Sequence, residues 1–241
     1  MKIEVYFTPG ELGERDLVGS VAAVIDVLRA TSTIVEAVAN GARTIFPATD
    51  MDDAMRLAQM IGRSEVLLCG ERSARKIEGF DLGNSPLEFT SEAVADKLVV
   101  MTTTNGTPAL IAGQAADRCI VASFLNMSAA ARDLAASGKP IVIMCAGREG
   151  RFSLDDALCA GSLIRALREA HGGRVRMNDA AHAAGALERR YRAHLGAVMN
   201  RTAAARQIVE AGHSGDIAYC LTRDRHDVVP VMSNRQIIRA V

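Results

Sequence analysis

Four clusters of polar side chains in this 241-residue chain follow short apolar runs. The clusters span residues 26–33, 71–84, 102–107 and 147–156, and the runs before them have the composition of strands buried on both faces. In an open parallel sheet the carboxyl ends of the strands share one edge, where α/β proteins bind their ligands. We therefore expect the four clusters to converge on one crevice.

Acidic side chains in these clusters have the chemistry of a magnesium site. Mg²⁺ takes oxygen ligands, uses few protein carboxylates and keeps positions for water and phosphate oxygens. The candidate ligands are Asp26, Glu71, Asp155 and Asp156. The alternatives are an ion pair between Asp26 and Arg29, and a purely electrostatic role for the two consecutive aspartates at the start of a helix.

Two hydroxyl-rich turns have the composition of phosphate-binding sites. Each follows a predicted strand and opens a predicted helix, where backbone N–H groups are unpaired and the helix dipole is positive. In the second turn Gly106 lacks a Cβ, so the backbone can approach an anion closely. Ordinary helix N-capping is the alternative, and neither turn is a P-loop. The candidate residues are Thr31, Ser32 and Thr33 in the first turn and Thr104, Asn105, Gly106 and Thr107 in the second.

Cationic side chains in the same clusters are candidates for binding the other anionic groups of a substrate. They are Arg29, Arg72, Arg75, Lys76 and Arg148. The planar guanidinium of arginine suits a two-point contact with an oxyanion better than the lysine ammonium does. Together with the carboxylates and the hydroxyl turns, these cations predict a site for a small phosphorylated anion.

The elements that must position these residues alternate between strand and helix over about the first 170 residues. This alternation predicts a three-layer α/β/α fold with a mostly parallel or mixed sheet, in a single domain spanning residues 1–241. The pattern changes after residue 173, and a helical portion is predicted at about 176–212. A shift of 75 residues aligns 31–46 with 106–121, with few identities, so a weak internal duplication and common α/β construction both explain it.

Composition limits the possible partners. Lys+Arg and Asp+Glu both number 28, so the chain lacks the cationic excess typical of nucleic-acid or polybasic membrane binding. The five cysteines are scattered without a CxxC pair, which argues against structural zinc and a disulfide framework. Neither a signal peptide nor an apolar run of membrane-spanning length is present. We expect a cytoplasmic protein that forms a homo-oligomer, with a dimer favoured.

The clusters contain motifs that are specific when taken together. They read Asp-Val-Leu-Arg-Ala-Thr-Ser-Thr at 26–33, Gly-Glu-Arg at 70–72, Gly-Phe-Asp-Leu-Gly-Asn-Ser-Pro at 79–86, Thr-Thr-Asn-Gly-Thr at 103–107 and Cys-Ala-Gly-Arg at 145–148. Their order and spacing resemble the ComB family, the 2-phosphosulfolactate phosphatases, over most of the chain, including Asp216 and Val229-Pro230. The chain departs from the family's pattern at residues 73–75, Ser-Ala-Arg, where we expect a glycine-rich turn.

The resemblance implies a Mg²⁺-dependent phosphatase that converts 2-phospho-3-sulfolactate to 3-sulfolactate and phosphate, a step of coenzyme M biosynthesis. Asp26, Glu71 and Asp155 are then the expected catalytic residues. The expected substrate-binding residues are Asn84 and the turn residues named above, together with Arg29, Arg72, Lys76 and Arg148. Two other functions stay open: a phosphatase of another small phosphorylated acid or sugar, and a non-catalytic protein that binds phosphorylated acids. Direct attack by water and a covalent phosphoenzyme are both compatible with the sequence.

Overall fold

A mixed sheet of eleven strands runs through the part of the chain that the computed structural model describes, residues 1–13 and 15–240. The strands are β1 (Lys2–Tyr6), β2 (Val21–Ile25), β3 (Thr44–Pro47), β4 (Val66–Arg72), β5 (Arg75–Lys76), β6 (Leu98–Thr102), β7 (Arg118–Val121), β8 (Ile141–Cys145), β9 (Arg176–Met177), β10 (Pro230–Ser233) and β11 (Gln236–Arg239). Their order in the sheet is β5-β4-β6-β3-β11-β10-β7-β2-β8-β1-β9.

The helices connect these strands and cover the sheet. They are α1 (Ala30–Ala39), α2 (Met51–Ile61), α3 (Ser91–Val94), α4 (Gly106–Gly113), α5 (Met127–Ala136), α6 (Leu154–His171), α7 (Asp179–Tyr191), α8 (Leu195–Met199), α9 (Ala203–Glu210) and α10 (Gly215–Cys220). None of the described helices combines the length and the apolar character needed to cross a membrane. The α/β class and the layered architecture predicted from the sequence are confirmed.

Strand β2 shows why the apolar runs form buried strands. All five of its residues are buried, and it lies between the parallel strands β7 and β8. In this register Val24 pairs with Val121 on one side and with Met144 on the other. Because both faces of β2 are covered, its residues are apolar throughout instead of alternating with polar ones.

The sheet consists of two parallel blocks that run in opposite directions. One block contains β4, β6 and β3, and the other contains β7, β2, β8, β1 and β9. The antiparallel hairpin β10–β11 joins them, because β10 pairs with β7 and β11 pairs with β3. Three successive antiparallel pairings therefore reverse the strand direction between the blocks, so the sheet is mixed.

Helices α1 and α4 lie on the same face of the sheet and pack against strands of both blocks. A single buried apolar cluster contains Ile34 and Val35 of α1, Leu110 of α4, Val24 of β2 and Met101 of β6. On the opposite face, α5, α6 and α7 pack against the β2 block, while α2 packs against the β4–β6 block. Helices α1 and α4 thus share one apolar layer, in which they contact each other.

Two strand-helix-strand units, each with its two strands in opposite blocks, interlock in this arrangement. Strand β2, helix α1 and strand β3 form the first unit, and β6, α4 and β7 form the second. The shift of 75 residues superposes most of α1 and β3 on α4 and β7. Strand β3 pairs with β6, and β7 pairs with β2, so each unit places its second strand beside the first strand of the other.

The predicted helical C-terminal portion is present but more broken than the sequence indicates. The apolar spacing over 178–200 predicts one helix, whereas α7 ends at Tyr191 and a short 3₁₀ turn precedes α8. This break turns Leu195, Val198 and Met199 onto the core beneath α6 and α7. The apolar run at 217–221 is helix α10, with Ile217 and Cys220 buried on one face.

Candidate active site

A cavity of about 170 Å³ lies where α1, α4 and α6 begin. Most of the candidate residues line it, together with the backbone of the loop that follows β8. The lining candidates are Asp26, Arg29, Glu71, Arg72, Asn84, Thr104, Asn105, Arg148, Asp155 and Asp156. All four polar clusters therefore reach one site.

The clusters converge for a different physical reason from the one expected. The strands that carry them belong to two antiparallel blocks, so a shared carboxyl edge does not explain their meeting. The contact between the starts of α1 and α4 does. A Cβ built on Gly106 would lie 2.4 Å from the Cβ of Ala30 and 2.7 Å from Oδ2 of Asp26. Gly106 thus permits the two helix N-termini to touch, and it does not line the cavity.

Two of the four carboxylates hold the loops of the site in place. Asp156 accepts hydrogen bonds from the N–H of Val27 (2.9 Å) and of Gly147 (3.1 Å). Glu71 accepts from the N–H of Ala74 (2.8 Å) and of Thr104 (2.8 Å). Each carboxylate therefore joins two loops that are distant in the sequence.

Asp26 and Asp155 have more oxygen capacity left for a ligand. Oδ1 of Asp155 accepts a hydrogen bond from the hydroxyl of Ser153 (2.5 Å), and the side chain of Asp26 makes no ion pair within 4.0 Å in the described part of the chain. Burial raises the pKa of Asp26 to about 7, helped by the charges of Asp155 and Glu71. Burial also raises the pKa of Asp155, although Arg148 opposes this.

Crowding of buried carboxylates is thus the main electrostatic feature of the site. Burial, with Asp155 and Asp26 nearby, also raises the pKa of Asp156 well above its ordinary value. Such a group needs protons or a cation. Across residues 1–13 and 15–240, no three His, Cys, Asp or Glu side chains enclose a metal position by themselves. A cation here would need ligands beyond the carboxylates.

Asn84 adds an unusual oxygen to the cavity wall. Its side chain is 5% exposed, and its Oδ1 is buried without a hydrogen-bond partner among the described residues. Its backbone is fixed because its carbonyl accepts a hydrogen bond from the hydroxyl of Thr33 (2.9 Å). A buried unpaired acceptor is costly in a native protein, so the Oδ1 of Asn84 is a candidate contact for a bound ligand.

Arg29 is fully engaged within the protein. One terminal nitrogen donates to Asp216 at 2.6 Å, and the other donates to the carbonyl of Ala74 at 2.8 Å. The expected alternative of an Asp26–Arg29 ion pair is therefore wrong, because the carboxylate paired with Arg29 is that of Asp216. Asp216 also accepts a hydrogen bond from Ser85 (2.7 Å), which connects α10 to the loop that carries Asn84.

The hydroxyls of the first turn do not line the cavity. Thr31 accepts a hydrogen bond from the N–H of Asp26 (3.1 Å), Ser32 donates to the carbonyl of Val27 (2.9 Å), and Thr33 donates to that of Asn84. All three residues are fully buried. They stabilise the strand-to-helix turn and do not make the expected phosphate contact. They do not cap α1 either, because no side chain accepts a capping hydrogen bond at its N-terminus.

Two other candidates lie away from the cavity. Thr107 and Thr103 bond to each other, because each hydroxyl accepts the backbone N–H of the other residue at 3.0 Å. Lys76 is exposed on β5 and is not part of the lining. Arg72, from the same predicted cluster, does line the cavity and donates to the hydroxyl of Thr102 at 3.1 Å.

Residues of the C-terminal portion complete the cavity, and sequence reasoning missed most of them. Ala204, Gln207 and Ile208 of α9 form one wall. No local pattern around 204–208 distinguishes these positions from any amphipathic helix. Asp216 had a signal, since it is part of the family resemblance.

The backbone has positive φ angles where the chain departs from the expected glycine-rich turn. Ser73 and Ala74, at the positions where glycine is expected, have φ angles of 53° and 62°. This left-handed region favours glycine. The turn keeps the conformation that glycine would adopt and accepts the strain of two side chains.

An α/β protein with buried carboxylates, arginines and helix N-termini around one small cavity has the layout of an enzyme acting on small anionic compounds. Comparison with known proteins narrows this class. The family model for 2-phosphosulpholactate phosphatase matches residues 6–235. A protein of Caldanaerobacter subterraneus named probable 2-phosphosulfolactate phosphatase is 41% identical over 234 residues, 97% of this chain and 96% of its own. A Thermotoga maritima protein of the same name is 40% identical over 213 residues, covering 88% and 89% of the two chains.

The chain therefore belongs to the 2-phosphosulpholactate phosphatase family. The family resemblance read from the five motifs is confirmed. Membership of this family makes the chain a phosphoric monoester hydrolase, which agrees with the chemistry of the cavity.

Proposed function

We propose that this protein is a Mg²⁺-dependent phosphatase of small phosphorylated acids, and that its substrate is 2-phospho-3-sulfolactate. One observation carries the proposal: a single cavity joins buried, crowded carboxylates to arginines with neutral partners. The names of the relatives suggest the substrate. Release of 3-sulfolactate would serve coenzyme M biosynthesis. A dimeric assembly and a cytoplasmic location stay predictions.

The carboxylates fit a magnesium ion that uses few protein ligands. Asp26 and Asp155 would hold it, because Glu71 and Asp156 each already bind two backbone N–H groups. The unpaired Oδ1 of Asn84 is a further oxygen of the type that hard cations accept. When bound, the ion would neutralise charge on the phosphoryl group.

Positive groups of the chain itself would bind the substrate's oxygens. Arg72 and Arg148 line the cavity from two different loops. The loop before α4 also reaches the cavity through Thr104 and Asn105, whereas the N–H of Thr107 in the first turn of α4 already donates to the hydroxyl of Thr103 (3.0 Å). These groups suit a compound that carries a phosphate and at least one more anionic group.

Water is the nucleophile that the site supports best. Hydrolysis breaks the ester P–O bond, joins the oxygen of water to phosphorus and leaves the alcohol with a proton. The hydroxyls of Thr31, Ser32, Thr33 and Thr107 are fully buried outside the cavity, and that of Ser153 donates to Asp155. A phosphoenzyme on the four buried hydroxyls would require the turns to unfold locally, and one on Ser153, which lines the cavity, would require the hydrogen bond to Asp155 to break.

The test is phosphate release from a panel of phosphorylated acids, with and without Mg²⁺. We expect 2-phosphosulfolactate to be hydrolysed fastest, and EDTA to abolish the reaction. Preference for another acid or a phosphosugar would replace the substrate but keep the activity. Binding of the panel without release from any member would instead favour the non-catalytic binding protein and overturn the proposal.

A further inference from the structure

The three arginines of the cavity differ in the charge of their partners. Arg29 pairs with the carboxylate of Asp216, and both side chains are 2% exposed, so its charge is compensated. Arg72 donates to the backbone carbonyl of Glu71 (2.7 Å) and to a threonine hydroxyl. Arg148 donates to Oε1 of Gln207 at 3.2 Å. Neither Arg72 nor Arg148 forms an ion pair within 4.0 Å in the described part of the chain, so both charges remain available to a ligand, although the charge of Arg148 also acts on Asp155.

Gln207 reaches the cavity because α9 is held against it. Arg75 donates to the carbonyl of Glu210 at 3.2 Å, which connects the last turn of α9 to β5. Ala204 and Ile208, on the same side of α9, also line the cavity. The amide of Gln207 is thus part of the wall beside Arg148.

We propose that Gln207 determines the specificity of this site for a substrate with a fixed anionic group besides the phosphate. Its neutral amide holds the guanidinium of Arg148 in place without cancelling its charge. Arg148 then binds the carboxylate or sulfonate of the substrate. A carboxylate in place of the amide would form an ion pair with Arg148 and compete with that group. The proposal rests on the proposed function and adds the way in which the site recognises the acid.

The matched variants are Gln207→Glu and Gln207→Met. The first keeps the size of the side chain and adds a negative charge, whereas the second keeps neutrality and loses the hydrogen bond. We expect Gln207→Glu to raise KM for 2-phosphosulfolactate at least tenfold with kcat changed less than threefold. Gln207→Met should raise KM less than Gln207→Glu does. For an aryl phosphate without a second anionic group, both variants should change KM less than threefold.

A purely structural role would give a different pattern. Gln207→Met, the less conservative change, would then raise KM more than Gln207→Glu does, and KM would rise equally for both substrates. Either result overturns the proposal while leaving the phosphatase activity in place. Gln59→Glu, which adds the same charge on the exposed face of α2 away from the cavity, serves as the control and should leave both substrates unaffected.

Direct binding separates this proposal from the proposed function. Calorimetric titration with 3-sulfolactate, which has no phosphate, measures recognition of the acid alone. We expect wild type to bind it and Gln207→Glu to bind it at least tenfold more weakly. Equal affinity, or no binding by wild type, overturns the role of Gln207 whether or not phosphate is released. Absence of phosphate release with the expected binding difference would overturn only the phosphatase assignment.

Discussion

Removal of the Asp216 carboxylate should destabilise the protein strongly although Asp216 does not line the cavity. The Arg29–Asp216 pair has a separation of 2.6 Å with both side chains 2% exposed. In Asp216→Ala the buried guanidinium keeps the carbonyl of Ala74 but loses its counter-ion, and Ser85 loses its acceptor. Breaking a buried pair on one side costs about 3–5 kcal/mol. A domain of ordinary stability has about 5–15 kcal/mol, so this loss should be evident.

The assay is urea unfolding followed by circular dichroism, applied to a double-mutant cycle. Arg29→Met and Asp216→Leu should each destabilise by several kcal/mol, and the double variant by clearly less than their sum, since no unpaired charge remains buried. Glu169→Ala is the control, because Glu169 is exposed, its loss leaves Arg165 paired with Glu188, and an i,i+4 helix pair of this kind is worth about 0.3–0.5 kcal/mol. An Asp216→Ala variant that loses less than 1 kcal/mol, or additive single effects, would refute the reasoning.

Three further predictions concern the helix contact, the metal and the strained turn. Gly106→Ala should reduce stability by several kcal/mol as measured by urea unfolding, because its Cβ would overlap Ala30; unchanged stability would contradict the contact between α1 and α4. Calorimetry should show Mg²⁺ affinity rising with pH up to about 7, because the raised pKa of Asp26 means that Mg²⁺ displaces a proton below that pH. Asp26→Asn should weaken this dependence and leave the part due to the raised pKa of Asp155. A pH-independent affinity in the wild type would contradict the prediction. Ser73→Gly should stabilise the protein by about 0.5–1 kcal/mol in the same urea assay, because φ is 53° there and the side chain is exposed. The control Ser64→Gly replaces a residue without a positive φ and should not stabilise the protein. Equal effects of the two substitutions would argue against strain at Ser73.

Sequence alone predicts the parts of the site that depend on neighbouring residues. An apolar run such as 21–25 must be buried on both faces, and the polar residues that follow it must lie at the end of a strand. The same local reasoning selects the loops that form the cavity, and it selects Asp26, Glu71 and Asp155 as candidates that do line it. The five motifs then identify the family, because their joint order is far more specific than any one of them.

Contacts between distant segments escape this reasoning. The reversal of strand direction depends on the hairpin at 230–239. This hairpin follows β3, β4 and β6 by about 130 residues or more in the sequence, and it separates these strands from β2 in the sheet. The partner of Arg29 is 187 residues away, so proximity in sequence wrongly favours Asp26. A threonine at a helix start also has the same sequence pattern whether its hydroxyl faces a ligand or, as for Thr31, its own backbone.

The measurement that tests the account most directly is a crystal structure of the protein with Mn²⁺ in place of Mg²⁺ and 3-sulfolactate present. The anomalous signal of manganese locates the metal without assumptions about its ligands. The account predicts one anomalous peak in the cavity, within about 2.0–2.3 Å of carboxylate oxygens of Asp26 and Asp155, and the acid beside Arg148. A metal bound elsewhere, or an empty cavity at metal and ligand concentrations that support phosphate release, would contradict it.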